Sequence, residues 1–501
     1  MSPRVTKALI KPDGSPCRTD TETADVFGEH FRKLYSATGA HDEAVLGLLR
    51  DSPVSTGLDV DPSLGEVRGA LRSLSAGKAA GASTITPDAL SVLLDDDANL
   101  LEFHGTILDF WNSPDPFSDV FGDGILKLTP QKGDLSDPSN YRGIMLLEVP
   151  AKVIGRIIAS RLTGLLRRDG NGLEEQCGFM PERGCPDAYS ALKQALKKRK
   201  EHSLDSWVLF IDLVKAFDTV PHSALWAVLR RRGIPAKLLG RIVALHTDVK
   251  VKLPVGDASA SFDYTIGVKQ GDSLAPVLFI FYIQAVLETL DRSSWTTPRF
   301  RFKMDDRLNG RSWRARGTEF DLRYSVYADD TALVFESRAD LERAASVLRS
   351  HFSRWGLSIH VGSSTKRSKT EAMLVPGPRA DYADFDTSDV ILPDGARIHF
   401  TQKFRYLGVV LSHSINDLAD VDSRVTAASG AFASLSSIFL SSRVKPDAKR
   451  AAYVGLVLPI LLYGSESWSL TEAMYARLRK FGRRTEVDQV ADIAHELVVR
   501  P

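Results

Sequence analysis

The spacing of hydrophobic side chains along the chain predicts a series of amphipathic helices. In residues 153–166, apolar side chains recur three and four positions apart, so they share one face of a helix. The same pattern predicts helices over residues 26–35, 64–74, 187–200, 223–232 and 339–355. Thr86 and Pro87 predict another helix start, because proline suits the first helical position. The chain from residue 421 onward also has a helical pattern, with two proline breaks.

Short apolar runs predict β-strands, and two of these runs end in acidic residues. Residues 207–213 close on Asp212, and residues 323–335 predict two short strands around a tight turn at Ala328, Asp329 and Asp330. Other expected elements are strands over residues 125–129, 262–268, 371–375 and 406–411, and a polar, Arg-rich connection over residues 291–322. Because strands and helices mix without a regular β-α-β order, the pattern favours an α+β fold class over a doubly wound sheet.

The longest apolar run, residues 274–287, is shorter than a bilayer span. A buried helix over residues 275–290 is therefore a better interpretation than a membrane segment. The start of the chain lacks the apolar core of a signal peptide, and three cysteines, an odd and sparse number, fit a reducing compartment. These features predict an intracellular protein with no membrane partner.

The overall composition does not by itself indicate nucleic-acid binding. The chain has 64 Lys+Arg and 63 Asp+Glu, which gives a net charge of +1, so any nucleic-acid surface needs a local concentration of positive charge. With 501 residues, 43% of them hydrophobic, the chain can bury a large core and form about two to four structural units.

The acidic strand ends are candidates for a metal site. A carboxylate at the end of a buried strand is costly unless positive charge offsets it. Three carboxylates from two adjacent strands would offer the oxygen ligands that suit Mg²⁺. Two such ions, about 3.5–4 Å apart, are the usual arrangement for displacement at phosphorus. An acidic pair at a hairpin is, taken alone, more often ordinary turn chemistry, so the surrounding sequence must decide.

Three ordered segments resemble the polymerase signatures of reverse transcriptases from non-LTR (LINE-type) retrotransposons. They are FIDLVKAFD at residues 210–218, GVKQGDSLAP at residues 267–276 and YADD at residues 327–330. Further matching segments are LTPQKGD at 128–134, NYRGI at 140–144, QCGF at 176–179 with Arg183, GL at 356–357, KT at 369–370, FRYLG at 404–408 and LYGSESW at 462–468. Together they cover most of the chain between residues 60 and 480.

The resemblance implies a right-hand polymerase with fingers, a palm formed by a small antiparallel sheet backed by helices, and a helical thumb. It implies a partly irregular N-terminal extension at residues 1–60, fingers and palm at residues 61–415, and a truncated, thumb-like helical region at residues 416–501. The implied activity is RNA-directed DNA synthesis, in which a primer is extended with dNTPs by two Mg²⁺ ions that Mn²⁺ can replace.

Position by position, the resemblance makes Asp212, Asp329 and Asp330 the catalytic metal ligands, with the backbone of Leu213 as a further ligand. Substrate-binding roles fall on Phe217, Gln270, Gly271, Arg142, Lys132 and Lys369, and primer-grip roles on Tyr406, Leu407 and Gly408. Asp218 is expected to orient the backbone rather than to bind metal.

Several of these roles have ordinary alternatives. Phe217 matches the residue that excludes a 2′-hydroxyl, but a core aromatic is also consistent with the sequence. Arg142 and Lys132 match fingers residues that face the triphosphate, a task that the fork of donors on arginine suits, and either can instead be a solvated charge. Lys369 matches a residue that assists pyrophosphate departure, although Lys366 and Arg367 crowd the same stretch.

The sequence departs from the family at residues 78–85, which read KAAGASTI in place of a Pro-Gly-Pro-Asp-Gly-type stretch, so template contacts there are in doubt. We find no endonuclease motif and no CCHC knuckle, which predicts a truncated or domesticated element with a separate endonuclease or element-encoded partner. An RNA template, a DNA primer or target, and nuclear action follow from the family. One alternative stays open, a decayed remnant that only binds nucleic acid. A group II intron or retron-type enzyme is a third possibility, but the segments 404–408 and 463–468 point away from it.

Overall fold

The structure is a computed structural model, and it describes residues 8–36, 39–113, 123–131, 133–168, 172–302 and 318–484. Its β-strands are β1 (Gly124–Pro130), β2 (Tyr141–Leu147), β3 (Ser206–Ile211), β4 (Val249–Val255), β5 (Ala258–Tyr264), β6 (Arg299–Phe302), β7 (Thr318–Asp321), β8 (Tyr324–Tyr327), β9 (Asp330–Phe335), β10 (Glu371–Val375), β11 (Val390–Ile391), β12 (Arg397–Phe400), β13 (Lys403–Tyr406) and β14 (Val409–Ser412).

The α-helices precede, separate and follow these strands. They are Asp20–Tyr35, Glu43–Leu46, Leu64–Arg72, Pro87–Ser91, Asp97–Asn112, Val149–Leu166, Cys185–Glu201, His222–Arg231, Ala236–Ala244, Ala275–Glu288, Arg338–Arg354, Leu418–Ser434, Ser436–Phe439, Pro446–Ala452, Leu458–Leu462 and Glu472–Arg484. The chain therefore mixes α-helices and β-strands, as the hydrophobic pattern predicted.

The chain divides into two compact units, each assembled from separate stretches of sequence. The first unit contains residues 1–173, 213–290 and 349–358, and the second contains residues 174–212, 291–348 and 359–501. Nothing in this division tests the expected boundaries of extension, fingers, palm and thumb, which remain predictions.

A four-stranded sheet with the order β2-β1-β4-β5 forms the core of the first unit, where β1 is antiparallel to β2 and parallel to β4. The helix Asp20–Tyr35 covers this sheet with an aromatic row that includes Phe27, Phe31 and Tyr35. These three side chains are almost fully buried. Burial of three aromatic side chains is a large stabilising contribution, so this N-terminal helix is an integral part of the unit.

A six-stranded sheet with the order β11-β12-β10-β3-β9-β8 forms the core of the second unit. All six residues of β3 are buried, because β9 and β10 flank it and both of its faces are covered. A continuous apolar strand is typical of such a central position. One face packs against the helix Cys185–Glu201 through Tyr189, Leu192 and Leu196.

A separate hydrophobic cluster joins the helices of residues 418–484 within the second unit. Val421, Val457 and Leu461 lie at its centre and are fully buried, and Trp468 packs beside them. The indole N–H of Trp468 donates to the carboxylate of Asp420 at 2.8 Å, so the polar end of this buried ring is satisfied.

Most of the predicted elements are present with small shifts of their ends. The helix predicted over residues 26–35 begins earlier, at Asp20, where Thr19 caps it. Thr86 caps the helix Pro87–Ser91 as expected. The apolar run near residue 280 is a helix whose residues 277–287 are all buried, and among the described residues no helix is long and apolar enough to cross a membrane.

Three local predictions were wrong. Residues 406–411 are not one strand: β13 and β14 form a hairpin around Leu407 and Gly408, whose φ angles of 48° and 84° fit a type I′ turn. The connection expected over residues 291–322 contains β6 and β7, which pair with each other. The strand expected to reach residue 268 ends at Tyr264, because the chain then turns away from β4.

Candidate active site

The six-stranded sheet places the predicted catalytic acids at one end of its central strands. Ile211 pairs with Thr331 in the antiparallel register of β3 and β9, so one further step sets Asp212 opposite Asp330. On the other side of β3, Phe210 pairs with Glu371 of β10, and the same register continued sets Asp212 opposite Lys369. The sheet therefore brings a carboxylate pair and a lysine together from three neighbouring strands.

Backbone hydrogen bonds hold Asp212 in this position. Its N–H donates to the hydroxyl of Thr370 at 3.1 Å, and its carbonyl accepts from the N–H of His360 at 2.8 Å. With these backbone groups occupied, the half-buried side chain of Asp212 is left to meet a ligand. Leu213, the other predicted ligand through its backbone, follows directly and is buried.

The side chain of Gln176 supports the tight turn between β8 and β9. Tyr327 pairs with Asp330, so Ala328 and Asp329 form a two-residue turn in which Ala328 has a φ of 57°. The fully buried side chain of Gln176 accepts from the N–H of Ala328 at 2.9 Å and from that of Gly178 at 2.7 Å. A positive φ is costly for alanine, and these contacts help to maintain it.

Gly178 has to be glycine because it packs directly against the same turn. A Cβ atom at this position would lie 2.3 Å from the nitrogen of Ala328. Cys177 also donates its N–H to the carbonyl of Val326 at 2.9 Å, which adds a short pairing beside β8. The segment 176–178 thus sets the position of the acidic turn.

The carboxylates interact electrostatically. The pKa of Asp330 is raised to about 7, first by desolvation and then by the charges of Asp329 and Asp212. Asp330 keeps exposed surface, but protein atoms surround it closely enough to disfavour its charge. The pKa of Asp212 is also raised by burial, an effect that Lys369 and His360 partly offset. A positive ion would relieve this repulsion.

The donor set fits a hard divalent cation in kind, although the described side chains do not form a closed ligand cage. No three His, Cys, Asp or Glu side chains in the described part of the chain converge closely enough to hold a metal by themselves. Carboxylate oxygens are nevertheless the ligands that Mg²⁺ prefers, and this ion usually keeps several waters and shares phosphate ligands with its substrate. An incomplete protein ligand set is what such a site requires.

The predicted substrate-binding residues of the first unit are clustered around one turn. Val268 donates its N–H to the carbonyl of Phe217 at 2.7 Å, and Met145 donates to the carbonyl of Gln270 at 2.7 Å. Gly271, with a φ of 115°, leaves no room for a Cβ atom, which would lie 2.4 Å from the oxygen of Met145. The structure therefore brings Phe217, Gln270 and Gly271 together beside β2.

The other substrate-binding predictions have separate outcomes. Phe217 is half-buried and stacks on Phe279 with 4.3 Å between ring centroids, so it has the contacts of a core aromatic as well as an exposed edge. Arg142 is exposed on β2. Lys132 lies outside the described residues. Lys369 belongs to the second unit, beside Asp212.

The predicted primer-grip residues lie at the β13–β14 hairpin. The hydroxyl of Tyr406 donates to the carbonyl of Ser325 at 2.9 Å, which ties this hairpin to β8. The carbonyls of Leu407 and Gly408 accept from Tyr463 and Arg424, respectively. The turn is therefore fixed on both sides, while its role with a primer stays a prediction.

A family model described as reverse transcriptase (RNA-dependent DNA polymerase) matches residues 129–411, more than half of the chain. The chain belongs to this family. The matched range contains Asp212, Asp329 and Asp330 together with the turn around Gln270. The reverse transcriptase domain therefore includes both clusters described above.

The relatives that match this chain include retrotransposon proteins. The chain is 27% identical to the putative 115 kDa protein in type-1 retrotransposable element R1DM of Drosophila melanogaster, over 69% of this chain and 30% of that protein. It is 28% identical to a retrovirus-related Pol polyprotein from element R2 of Popillia japonica, over 69% and 44% of the two chains. It is 23% identical to the RNA-directed DNA polymerase from mobile element jockey of Drosophila funebris, over 92% and 48%.

These alignments span less than half the length of each relative, so activities of the whole relatives are not transferred with the family. The family assignment confirms the predicted resemblance to non-LTR reverse transcriptases, because relatives from R1, R2 and jockey elements match together.

Reasoning from the sequence assigned no role to Gln176, although its segment was part of the resemblance. Its function in the reverse transcriptase domain depends on pairing with β8, which lies 150 residues away, since 326 − 176 = 150. The available signal in the sequence was a glutamine two positions before a glycine. It could be interpreted only with the turn at Ala328 in view.

Proposed function

We propose that this chain is the polymerase part of a non-LTR retrotransposon reverse transcriptase and extends a primer with dNTPs on an RNA template. The observation that carries the proposal is the sheet register that sets Asp212 opposite Asp330 and Lys369. Two acids and a base at the end of three neighbouring strands suit phosphoryl transfer, in which catalysis is mainly positioning and electrostatics.

In this proposal, Asp212, Asp329 and Asp330 hold two Mg²⁺ ions, for which Mn²⁺ can substitute, and the backbone carbonyl of Leu213 adds a ligand. Bound metal would lower the pKa of the primer hydroxyl and offset the charge of the leaving pyrophosphate. The chain's own contribution is to position the carboxylates, as the backbone hydrogen bonds at Asp212 do. The ammonium of Lys369 supplies a positive charge and a proton for pyrophosphate.

We propose that Gln270, Gly271 and Phe217 select the incoming nucleotide, and that Arg142 and Lys132 bind its triphosphate. Gly271 supports this role because it is exposed, and because its missing Cβ lets Met145 approach closely and hold the turn in place. The exposed edge of Phe217 is suited to contact a sugar. Replacing it in Phe217→Ala should increase incorporation of rNTPs relative to dNTPs, and an unchanged ratio would remove this assignment.

The proposed right-hand arrangement assigns the four-stranded sheet to the fingers, the six-stranded sheet to the palm and the helices of residues 418–484 to the thumb. Tyr406, Leu407 and Gly408 would then form the primer grip. The tied turn at residues 407–408 supports this, because a fixed hairpin can hold a primer terminus in one position.

A primer-extension assay tests the proposed activity. Purified chain is incubated with a primed RNA template, dNTPs and Mg²⁺, beside Asp329→Ala as the matched control. We expect extension by the unaltered chain and its loss in the variant. Equal extension by both, or none by either, would contradict the proposal.

The alternative of a decayed remnant that only binds nucleic acid is not favoured, since the three carboxylates and the Gln-Gly pair are all retained. A salt titration of RNA binding tests that alternative independently. Binding dominated by the phosphate backbone weakens steeply with salt, whereas flat binding would count against any nucleic-acid role.

The same proposal covers partners and place of action. A reverse transcriptase requires RNA template, DNA primer or target, and dNTPs. The relatives from R2 elements are named as Pol polyproteins, which supports an element-encoded partner or a separate endonuclease activity acting with this chain. We propose that it acts in the nucleus, at the site where DNA is inserted.

A further inference from the structure

The turn that carries Gln270 is joined to the segment 217–220 by backbone contacts within the first unit. The N–H of Val268 donates to the carbonyl of Phe217 at 2.7 Å, and the N–H of Gly267 donates to that of Val220 at 2.8 Å. A Cβ atom at Gly267 would lie 2.8 Å from the oxygen of Asp218, so the two segments are in close contact. This contact brings a carboxylate against Gln270.

The side chains of Asp218 and Gln270 are hydrogen-bonded to each other. The amide Nε2 of Gln270 donates to a carboxylate oxygen of Asp218 at 2.9 Å, and Asp218 is only 6% exposed. Because an ionised carboxylate only accepts hydrogen bonds, it attracts the NH₂ group of the amide and turns the amide oxygen away from itself. Met145 holds the backbone carbonyl of the same residue, so both ends of Gln270 are fixed.

The N-terminal helix Asp20–Tyr35 supports this contact from the other side. The hydroxyl of Tyr35 donates to the same oxygen of Asp218 at 3.4 Å, a long and therefore weak bond. The carbonyl of Tyr35 accepts from the N–H of Thr265 at 2.8 Å, just before the Gln270 turn. Tyr35 is 2% exposed and packs in the aromatic core, so its hydroxyl has little freedom to move.

A second contact from this helix reaches Lys215, just before the segment 217–220. The ammonium of Lys215 lies 3.3 Å from Nε2 of His30. Burial and the charge of Lys215 lower the pKa of His30 to about 4, so the imidazole is neutral and accepts from the lysine. Lys215 adopts a left-handed conformation with a φ of 46°, which this contact helps to hold.

We propose that Asp218 is a positioning residue for Gln270, and that the helix Asp20–Tyr35 holds Asp218 in place through Tyr35. This inference rests on the proposed role of Gln270 in binding the incoming nucleotide. It gives the N-terminal helix a function in nucleotide selection in addition to its place in the core. A carboxylate buried for stability alone would be a poor choice, because an apolar side chain of similar size is commonly as stable or more so.

Single-nucleotide incorporation on a primed RNA template tests the proposal. Asp218→Leu keeps the branched shape of the side chain but removes the acceptor, so we expect the KM for the dNTP to rise about tenfold, with kcat changed less. Asp218→Asn keeps an acceptor for Gln270, and its KM should stay within about twofold of the unaltered chain. A uniform fall of kcat in both variants would indicate only a general structural defect and overturn the proposal.

A double substitution separates action through Gln270 from independent effects. In a Gln270→Ala background the amide is already absent, so adding Asp218→Leu should raise the KM no further. A full additional tenfold rise would mean that Asp218 acts by another route, and it would overturn the proposal.

Two matched hydroxyl deletions test the contribution of the N-terminal helix. They also test the proposal if Asp218→Leu does not fold. Tyr35→Phe removes the bond to Asp218 and should raise the KM two- to threefold, in keeping with its length. Tyr141→Phe removes a comparable bond, from the same aromatic core to the carbonyl of Leu135 at 3.1 Å, and should leave the KM unchanged. Equal effects of the two would exclude a specific role for Tyr35.

The outcomes distinguish this inference from the proposed function. No synthesis by the unaltered chain would remove both. Synthesis without any effect of Gln270→Ala on the KM would remove the role of Gln270 and this inference with it. A raised KM in Gln270→Ala together with a normal KM in Asp218→Leu would overturn this inference alone.

Discussion

The two clusters of the reverse transcriptase domain are built in different ways. At the end of the six-stranded sheet, strand register sets Asp212 beside Asp330 and Lys369, and Gln176 supports the adjoining turn. At the Gln270 turn, by contrast, specific hydrogen bonds join β2, the segment 217–220 and an N-terminal helix. The first cluster gathers charge, and the second fixes the direction of a neutral amide.

Each cluster contains an aspartate whose pKa is raised mainly by desolvation, and the charges around the two aspartates differ. Desolvation and the neighbouring carboxylates Asp329 and Asp212 raise the pKa of Asp330 to about 7. Burial raises the pKa of Asp218 to about 6, while Lys215, Gln270 and Tyr35 act in the opposite direction. A bound cation would relieve the repulsion between Asp330 and the neighbouring carboxylates. At Asp218, nearby donors and Lys215 already offset part of the cost of burial, which suits a residue that positions another side chain.

The largest effect should come from neutralising the carboxylate cluster. In Asp330→Asn we expect primer extension to fall on the order of 10³-fold, the upper end of what removal of one electrostatic group costs. The same variant should melt at a higher temperature at pH 8 in the presence of EDTA, because it removes repulsion among three acids. Extension rates and melting curves check both parts.

The sign of the stability effect follows from the raised pKa. The cost of ionising Asp330 is absent below about pH 4 and grows as the pH rises through 7, so the advantage of Asp330→Asn should disappear in acid. An unaltered melting temperature at pH 8 would show that Asp330 is not crowded by the other acids.

The next effect tests whether the acidic turn depends on its support. Gln176→Leu removes the acceptor for two backbone N–H groups, so we expect a loss of about 2 kcal/mol or more in the free energy of unfolding. Since Ala328 precedes Asp329, synthesis should also fall about tenfold or more. Thermal unfolding and primer extension measure the two effects.

Gln284 offers a matched control. It is 1% exposed, and neither polar atom of its side chain has a hydrogen-bond partner among the described residues. Gln284→Leu should therefore leave the fold as stable or make it more stable. A similar loss of stability in Gln176→Leu and Gln284→Leu would mean that the effect is common to buried glutamines, and it would contradict the role assigned to Gln176.

The sequence predicted the sheet end better than the Gln270 turn. An apolar run that closes on an acid is a local signal, so β3, β10 and the acidic hairpin could all be expected. The register that sets Lys369 opposite Asp212 could not, because it depends on pairing between strands more than 150 residues apart, since 369 − 212 = 157. Local patterns specify strands, and long-range packing specifies which strands are neighbours.

The β13–β14 hairpin shows another limit of local patterns. Residues 406–411 read as one apolar strand, but Leu407 takes a positive φ that leucine rarely adopts. Contacts from Tyr463 and Arg424 hold the carbonyls of this turn, and neither is close in sequence. The hydrogen bond from Tyr35 to Asp218 could not be predicted from local patterns either, because 183 residues separate the two.

A smaller effect on synthesis is expected when the Gln270 turn is disturbed through its backbone. Gly271→Ala places a Cβ atom 2.4 Å from the oxygen of Met145 at a φ of 115°, so we expect a loss of about 1–3 kcal/mol in stability and a few-fold rise in the KM for the dNTP. Gly164→Ala is the control, because it has nothing within 4 Å in the helix Val149–Leu166 and should gain about 0.5–1 kcal/mol. Equal stability of the two variants would argue against a tight turn.

The smallest effect on synthesis, and the sharpest test of the comparison, is expected for Asp218→Asn. The pKa of Asp218 is raised to about 6 in the fold from 3.8, so ionisation costs stability as the pH rises from about 4 through 6. Asn carries no charge, so the variant should be more stable by about 1–3 kcal/mol at pH 8 and no more stable at pH 4. Chemical unfolding at the two pH values measures this difference.

Because Asn still accepts from Gln270, synthesis should continue nearly unchanged, whereas Asp330→Asn gains stability and loses synthesis. A loss of synthesis in Asp218→Asn as severe as in Asp330→Asn would mean that the two carboxylates do the same work.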